Sequence, residues 1–431
     1  MTIADVLVLG AGMAGLAAAD ELVRHGVDVI VVEARSRVGG RIHTLRDEGT
    51  MVPIELGAEL LHGEAEATQE LAKTLSIGVH EIEGKRFVKT ESRLAEIEDY
   101  DAKLGRMLGR VFAHVRTGRD LSFAEALERT ALRAQDRELV ASFVEGFHAG
   151  ALDLMSTRAL AKGGAEGPGK MLRVATGYSS LAEAVATSLG GALRLGRTVE
   201  CLRWRPGHVT AIVLGPTGRP ELLRARSAII ALPLGVLQRG AIAFDPALDN
   251  THRRALASLA MGNVVKITLR FREAFWCTGK RASAAFFHST RAAIPTFWTM
   301  RPVKAPFLVG WAGGPAADAL FDLDPSRIAE IAVDALADTL GTKPAHAHEL
   351  VDAYWIHDWQ ADPLAGGAYS FARTGGESAA KTFARSIAQT LYFAGEHTAL
   401  PPDNATVEGA VTSGQRAAHA ILVGGSRQKA A

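Results

Sequence analysis

Cysteine is nearly missing from this chain: Cys201 and Cys277 are the two that occur in 431 residues, with no CxxC pair. Neither a disulfide framework nor a cysteine metal site is therefore expected. The 14 histidines are scattered without HExxH or a comparable ligand spacing, so no metal is expected either. An excess of one charge is lacking too. The 48 Lys and Arg against 47 Asp and Glu leave a formal net charge of +1, which gives no reason to expect nucleic acid or an anionic membrane as partner. No stretch reaches the roughly 18 uninterrupted apolar residues of a membrane span. The first apolar run begins within a few residues of Met1 and leaves no room for a signal or transit peptide, so a cytoplasmic protein is expected. With 48% hydrophobic residues, a chain of this length is long for one core and suggests two domains.

What is present is concentrated first between Asp5 and Arg41, DVLVLGAGMAGLAAADELVRHGVDVIVVEARSRVGGR. A β-branched apolar run turns through Gly10, Gly12 and Gly15, continues as an Ala/Leu-rich helix and is followed by a second apolar run ending at Glu33. This is the pattern of a β-α-β dinucleotide site. The glycines permit a tight turn, close approach to a pyrophosphate and close packing of helix on strand, and the helix N-terminus directs free N–H groups at phosphate. Glu33, eighteen residues past Gly15, stands near the spacing at which a carboxylate accepts hydrogen bonds from an adenosine ribose. Its charge disfavours a 2′-phosphate.

The run VVEARSRVGGRIHT, with Ala34, Arg35, Arg37, Gly39, Gly40 and Arg41, resembles the signature of the flavin-dependent amine oxidases, the family of monoamine and polyamine oxidases. On its own chemistry, Gly39–Gly40 allows backbone to approach a bulky cofactor and Arg41 offers a forked guanidinium to offset pyrophosphate charge. Arg35 and Arg37 also read as solvated loop charges.

Other segments carry the resemblance further. Residues 52–63, VPIELGAELLHG, are similar to the family's ELGA-x-W-x-HG element, which passes close to the flavin and so implicates Gly57, Ala58 and His62; Leu60 replaces the common aromatic. Glu59 and Glu64 lie beside His62 and are expected to attract a cationic substrate. In AMGNVVKITLRF (260–271), period-two alternation alone places Lys266 with Val264 and Thr268 on a solvent face. The resemblance instead implies the lysine that holds a water at flavin N5. LRLGRTVECLRW implies a backbone contact from Val199 to adenine, and WQADPLAGGAYS implies a cofactor contact at Trp359 and an aromatic wall at Tyr369. Ala368 stands where the monoamine oxidase branch has a flavin-bonded cysteine, so the FAD is expected to be non-covalent. LYFAGEHT and the following TVEGAV imply that Gly395 and Glu396 meet the ribityl-pyrophosphate region and that Thr406 and Val407 open a helix aimed at flavin N1. Thr406 replaces a second cage tyrosine of the monoamine oxidases, and Glu408 stands where the polyamine oxidase and histone-demethylase branches generally have His.

The expected fold is α/β: a discontinuous Rossmann-type FAD-binding domain (1–78, 171–258 and 362–425) with an α+β substrate domain (79–170 and 259–361). The latter would combine an antiparallel sheet with a helical cap at about 91–162, joined by a Gly163–Gly169 loop fit for a lid or hinge. The implied activity is FAD-dependent oxidation of a primary or secondary amine by O2, releasing H2O2, with di- and polyamines favoured because Glu59 and Glu64 would hold a distal ammonium and Thr406 widens the channel. An L-amino-acid oxidase is the alternative and would need an arginine for the carboxylate, Arg272 or Arg301. An FAD-bound interaction protein without turnover is the other. The state of assembly is open between monomer and homodimer.

Overall fold

The strand Ala4–Leu9 sits at the middle of the molecule because both of its faces are apolar: Val6 and Val8 enter one core, Leu7 and Leu9 another, all fully buried. Such two-sided burial is the condition of a parallel strand covered by helices. It pairs in parallel with Val29–Val32 and with the end of Pro220–Ile230, whose own end pairs with Leu391–Phe393. Leu193–Arg194 extends the parallel edge. The strands Thr198–Arg205, His208–Leu214 and Pro220–Ile230 form an antiparallel meander, and Ala243–Asp245, parallel to Thr198–Arg205, completes an eight-stranded sheet. This sheet draws on the chain's beginning, middle and end, so the dinucleotide unit is discontinuous in sequence. The computed structural model describes residues 3–89, 93–164 and 169–429, with side chains to 424. Glu91 at the start of the insert, and most of the Gly163–Gly169 loop, lie outside the described residues.

The helix Met13–Arg24 covers one face of the sheet with Ala14, Leu16, Ala18 and Leu22, and the helix Val407–Lys429 packs beside it through Val411 and Ala418. The start of this second helix also supports a third. The Glu408 carboxylate accepts hydrogen bonds from Ala67 N (2.9 Å), Thr68 N (2.8 Å) and Thr68 Oγ1 (2.6 Å). It thereby occupies free N–H groups in the first turn of the helix Glu66–Thr74, which has no side-chain cap of its own.

A second, seven-stranded sheet runs in the order Val351–Ile356, Val264–Phe271, Phe307–Gly313, Thr296–Thr299, Ala284–Ser289, Lys85–Lys89, Leu94–Glu96. It is antiparallel as expected except where Lys85–Lys89 lies parallel to Ala284–Ser289. Helix Pro325–Leu340 buries Ile328, Ala332 and Leu336 against it, at the i, i+4, i+8 spacing visible in the sequence. The insert supplies helices Tyr100–Phe112, Phe123–Glu128, Ala134–His148 and Thr157–Lys162, which share a core of their own around Leu104, Val111, Phe123 and Val140. Between the two sheets lies a three-stranded one of Leu60–His62, Met171–Val174 and Val79–Glu81. Its outer two strands therefore fall on either side of a division at residue 78.

Candidate active site

A cavity of about 930 Å³ runs between the two sheets, within the range of cofactor and ligand sites. One end is lined by Gly10, Gly12, Glu33, Ala34, Arg35, Gly40, Arg41 and Val199; the middle by Gly57, Ala58, Trp359, Gly395, Glu396, Thr406 and Val407; the other end by Glu59, His62, Glu64, Lys266 and Tyr369. Of the residues singled out in the sequence, Gly15, Arg37, Arg272 and Arg301 are not on its wall. Gly15 acts from behind: a Cβ there would lie 1.9 Å from Gly10 O.

The first end is shaped for a dinucleotide. The helix Met13–Arg24 begins at the cavity with Gly12 as its N-terminal flank, and a Cβ on Gly12 would meet no protein atom within 4 Å because it would stand in the cavity itself. Glu33 is buried at the end of Val29–Val32 and accepts from Ala11 N (2.8 Å) and Arg35 N (2.9 Å), which ties the glycine turn to the second strand. The strand carrying Val199 is bulged between Val199 and Cys201, interrupting its ladder beside the cavity. These residues fit an adenosine diphosphate half. Replacing Glu33 by Ala is expected to weaken FAD binding by about 1–3 kcal/mol through the lost charge-assisted contact, read as the dissociation constant of the apoprotein for FAD; an unchanged constant would remove Glu33 from the ribose site.

Two arginines behave differently from the expectation. Arg35 is not a solvated loop charge; it meets both Asp362 oxygens at 2.8 Å and lies 5.9 Å from the Trp359 ring centre. Arg41 is not a free cation for pyrophosphate. It pairs with Glu396 (2.9 Å) and donates to Ala368 O (2.6 Å). Burial alone would raise the Glu396 carboxyl, and Arg41, together with His397 and the Ser370 hydrogen bond, outweighs that and holds it below its usual range. Ser370 Oγ donates to the other Glu396 oxygen at 2.6 Å. The GE pair, the Arg41 loop and the Ala368–Ser370 segment are thus one hydrogen-bonded unit. Beside it His397 is buried with both ring nitrogens unpartnered, and burial chiefly lowers it to about 4. Thr406 Oγ1 accepts from Gly409 N (3.0 Å) and donates to Asp403 O (2.5 Å), so it caps the helix that begins at Val407.

At the far end Lys266 is 4% exposed, correcting the solvent face that strand alternation gives it. Both faces of Val264–Phe271 are covered, so alternation there does not report exposure. Lys266 Nζ meets Glu59 Oε2 at 2.7 Å and Gly57 O at 2.9 Å. Glu59 Oε1 accepts from Arg173 (2.6 Å) and from Trp298 Nε1 (2.9 Å). Burial would raise this carboxyl, but the Lys266 and Arg173 charges prevail and hold it at about 2. Glu59 is therefore a buried counter-ion for two protein cations and has no charge to spare for a substrate ammonium, contrary to the sequence reading. Glu64 does not join it: its side chain is 71% exposed, 3.8 Å from Lys170.

Tyr369 donates its hydroxyl to Phe147 O at 2.8 Å, and burial keeps the phenol protonated by raising its pKa well above the usual range. Its ring lies nearly parallel to Trp311, 6.4 Å between centres and 16° between planes; Trp311 in turn neighbours Trp298 at 5.8 Å, and Lys266 Nζ is 5.9 Å from the Trp298 ring. His62 packs edge-on against Phe147 at 5.3 Å with Nδ1 unpartnered, and burial, then the Arg86 charge, lowers it to about 4, so it is a neutral ring. The wall also takes in Phe143, Phe147 and His148 of the insert and Arg86, Phe286, His288, Trp298 and Trp311 of the second sheet. None of these was marked by a motif. A count of aromatic and basic residues on the substrate-domain strands was the signal available. Arg272 is exposed and Arg301 donates to Glu83 O; neither lines the cavity. Among the described residues no group of three His, Cys, Asp or Glu is placed to hold a metal, and no helix is long and apolar enough to cross a membrane.

A dinucleotide cleft that opens without a break into an aromatic chamber with a buried lysine at the junction defines a cofactor-dependent oxidoreductase. The chain belongs to the flavin-containing amine oxidoreductase family, whose sequence model matches residues 13–422, and its cofactor is FAD. It is 29% identical to polyamine oxidase 3 of Oryza sativa subsp. japonica, over 96% of this chain and 88% of that protein. It is 28% identical to lysine-specific histone demethylase 1 homolog 2 of Arabidopsis thaliana, over 97% of this chain but 58% of that protein, so it spans little more than half the length of such relatives. The fold matches wild-type putrescine oxidase bound to putrescine with a TM-score of 0.84 at 22% identity, covering 98% of this chain and 99% of that one.

Proposed function

We propose that the protein oxidises a primary or secondary amine to the imine, which water converts to an aldehyde, with O2 as electron acceptor and H2O2 as the second product. The observation that carries this reading is the buried Lys266, ion-paired with Glu59 at the meeting point of the cofactor cleft and the aromatic chamber. Bound FAD supplies a two-electron acceptor for the hydrogen on the carbon beside the amine and returns those electrons to oxygen. FAD is held without a covalent bond in this reading, since Ala368 offers no thiol.

The chain's own residues have separable tasks. The N-terminus of Met13–Arg24, the glycine turn and Glu33 hold the adenosine diphosphate end. Lys266 has three N–H donors, gives one to Gly57 O and ion-pairs with Glu59, and so keeps donor capacity to fix a water or polarise an acceptor at the junction. Tyr369 and Trp311 present a flat wall to orient the substrate carbon and exclude water. In that apolar chamber, beside a fixed cation, desolvation favours the neutral amine, the form whose lone pair assists loss of hydride. No protein nucleophile is needed.

The preference for di- and polyamines depended on Glu59 and Glu64 as holders of a distal ammonium, and with Glu59 committed to Lys266 and Arg173 the proposal stops at an amine with an apolar body. An amino-acid substrate is favoured by one observation, the Arg86 guanidinium on the chamber wall. A peroxide-release screen of the purified yellow protein against amines and amino acids tests the reading. At least one is expected to sustain peroxide formation; none doing so would reject it in favour of a flavin-bound interaction protein.

A further inference from the structure

The cations on the cavity wall are neutralised to unequal degrees. Arg35 meets Asp362 at 2.8 Å, Arg41 meets Glu396 at 2.9 Å, Arg197 meets Glu221 at 3.2 Å and Lys266 meets Glu59 at 2.7 Å. Arg86, on the strand Lys85–Lys89, is the exception: its side chain is 12% exposed and its ion pair with Asp101 spans 3.5 Å, the outer limit of a hydrogen bond. A guanidinium has five N–H donors, and among the described residues the Asp101 contact is the one hydrogen bond it makes. A buried cation so weakly matched is costly unless something else completes it.

Its surroundings fix the group's orientation without neutralising it. The guanidinium carbon lies 4.7 Å from the Phe286 ring centre and 5.3 Å from that of Tyr100. The His288 ring stacks on Tyr100 (5.2 Å, 5°) and lies parallel to Phe286 (6.0 Å, 2°). His288 Nδ1 engages Thr296 Oγ1 at 3.2 Å while Nε2 is buried without a partner, as is Nδ1 of His62. Both rings are neutral because burial, followed by the Arg86 charge, lowers them, His288 to about 3. Arg86, His62, His288 and Tyr100 all line the chamber that holds Lys266, Trp311 and Tyr369. Of the two acids at this end, Glu59 is consumed by Lys266 and Arg173, and Glu64 is 71% exposed beside Lys170.

A held guanidinium with unused donors suits a planar, bidentate anion and repels an ammonium. We propose that Arg86 anchors a carboxylate on the substrate, so that the amine taken by this site carries an acid group, as an amino acid does, with its apolar body against the aromatic wall. The proposal rests on the amine oxidase reading for its reaction but not for its binding, and the test separates the two.

The test is an equilibrium titration of the FAD-loaded protein with 3-phenylpropionate and with its neutral isostere 3-phenylpropanamide, followed by perturbation of the flavin absorbance. The wild-type protein is expected to bind the carboxylate at least tenfold more tightly than the amide. Arg86→Met is expected to abolish that preference while binding the amide within about twofold of wild type. Arg86→Lys, which keeps the charge but loses the fork, is expected to retain part of it. A wild-type protein that binds both equally overturns the proposal whether or not any variant folds. So does an Arg86→Met protein that keeps the preference, which would leave Arg86 as a structural partner of Asp101. Because binding is read without turnover, a protein that prefers the carboxylate yet is reduced by no amine would refute the oxidase reading and leave the anchor standing.

Discussion

Lys266→Met is expected to fold, to retain FAD and to lose turnover by about 10²–10³-fold, the range found when one preorganised polar donor is removed from an active site. Methionine keeps much of the lysine stem, so the chamber stays filled. Folding survives because Glu59 keeps Arg173 at 2.6 Å and the Trp298 N–H at 2.9 Å after Lys266 is gone; the buried carboxylate remains compensated. Stopped-flow traces should place the loss in flavin reduction or in reoxidation. If both half-reactions run at wild-type speed, Lys266 is a structural cation and the function assigned to it is wrong.

Glu59→Gln is expected to do the opposite, damaging stability first. It leaves Lys266 and Arg173 buried around a neutral amide, and removing one partner of a buried pair costs about 3–5 kcal/mol. The double variant Glu59→Gln/Lys266→Met should recover part of that loss, since it removes one of the two stranded cations. Thermal unfolding midpoints of the three variants give the comparison; a double variant less stable than Glu59→Gln would contradict the pairing. The pH dependence follows the same logic. The folded Glu59 carboxyl titrates at about 2, below its ordinary 4.5. Its contribution is therefore fully present above the ordinary value and lost as pH falls toward the folded one. The gap between wild type and Glu59→Gln should close as pH drops through that window, and a gap that widens instead would mean the acid is not ionised in the folded protein.

These two residues also show what could be read in the sequence. The cofactor half was legible because its chemistry fixes residue types at short, fixed spacing: Gly10, Gly12, Gly15 and Glu33 lie within one β-α-β unit, and Pro325–Leu340 announced itself by helical periodicity. Lys266 was reached by resemblance and missed by alternation, because alternation reports exposure only when one face of a sheet is wet. Glu59 looked like a loop acid since its partners, Lys266, Arg173 and Trp298, are more than a hundred residues away in the chain. The chamber was least legible. Arg86 and His288 meet through a parallel pairing of strands about two hundred residues apart, and Phe147 reaches Tyr369 from the insert. No local signal encodes such encounters; they follow from topology. Resemblance marked Glu408 as a departure but gave it no role; this chain uses it to secure the helix Glu66–Thr74.

The central claim is that this chamber removes hydride from an amine into bound FAD, and anaerobic titration of the yellow holoprotein tests it most directly. A primary or secondary amine, or an amino acid, should bleach the flavin absorbance without oxygen, and admitting air should restore the colour with release of H2O2. If dithionite bleaches the flavin while every amine and amino acid tested leaves it oxidised, the flavin is structural and the account of Lys266, Tyr369 and Trp311 as an oxidation site is contradicted.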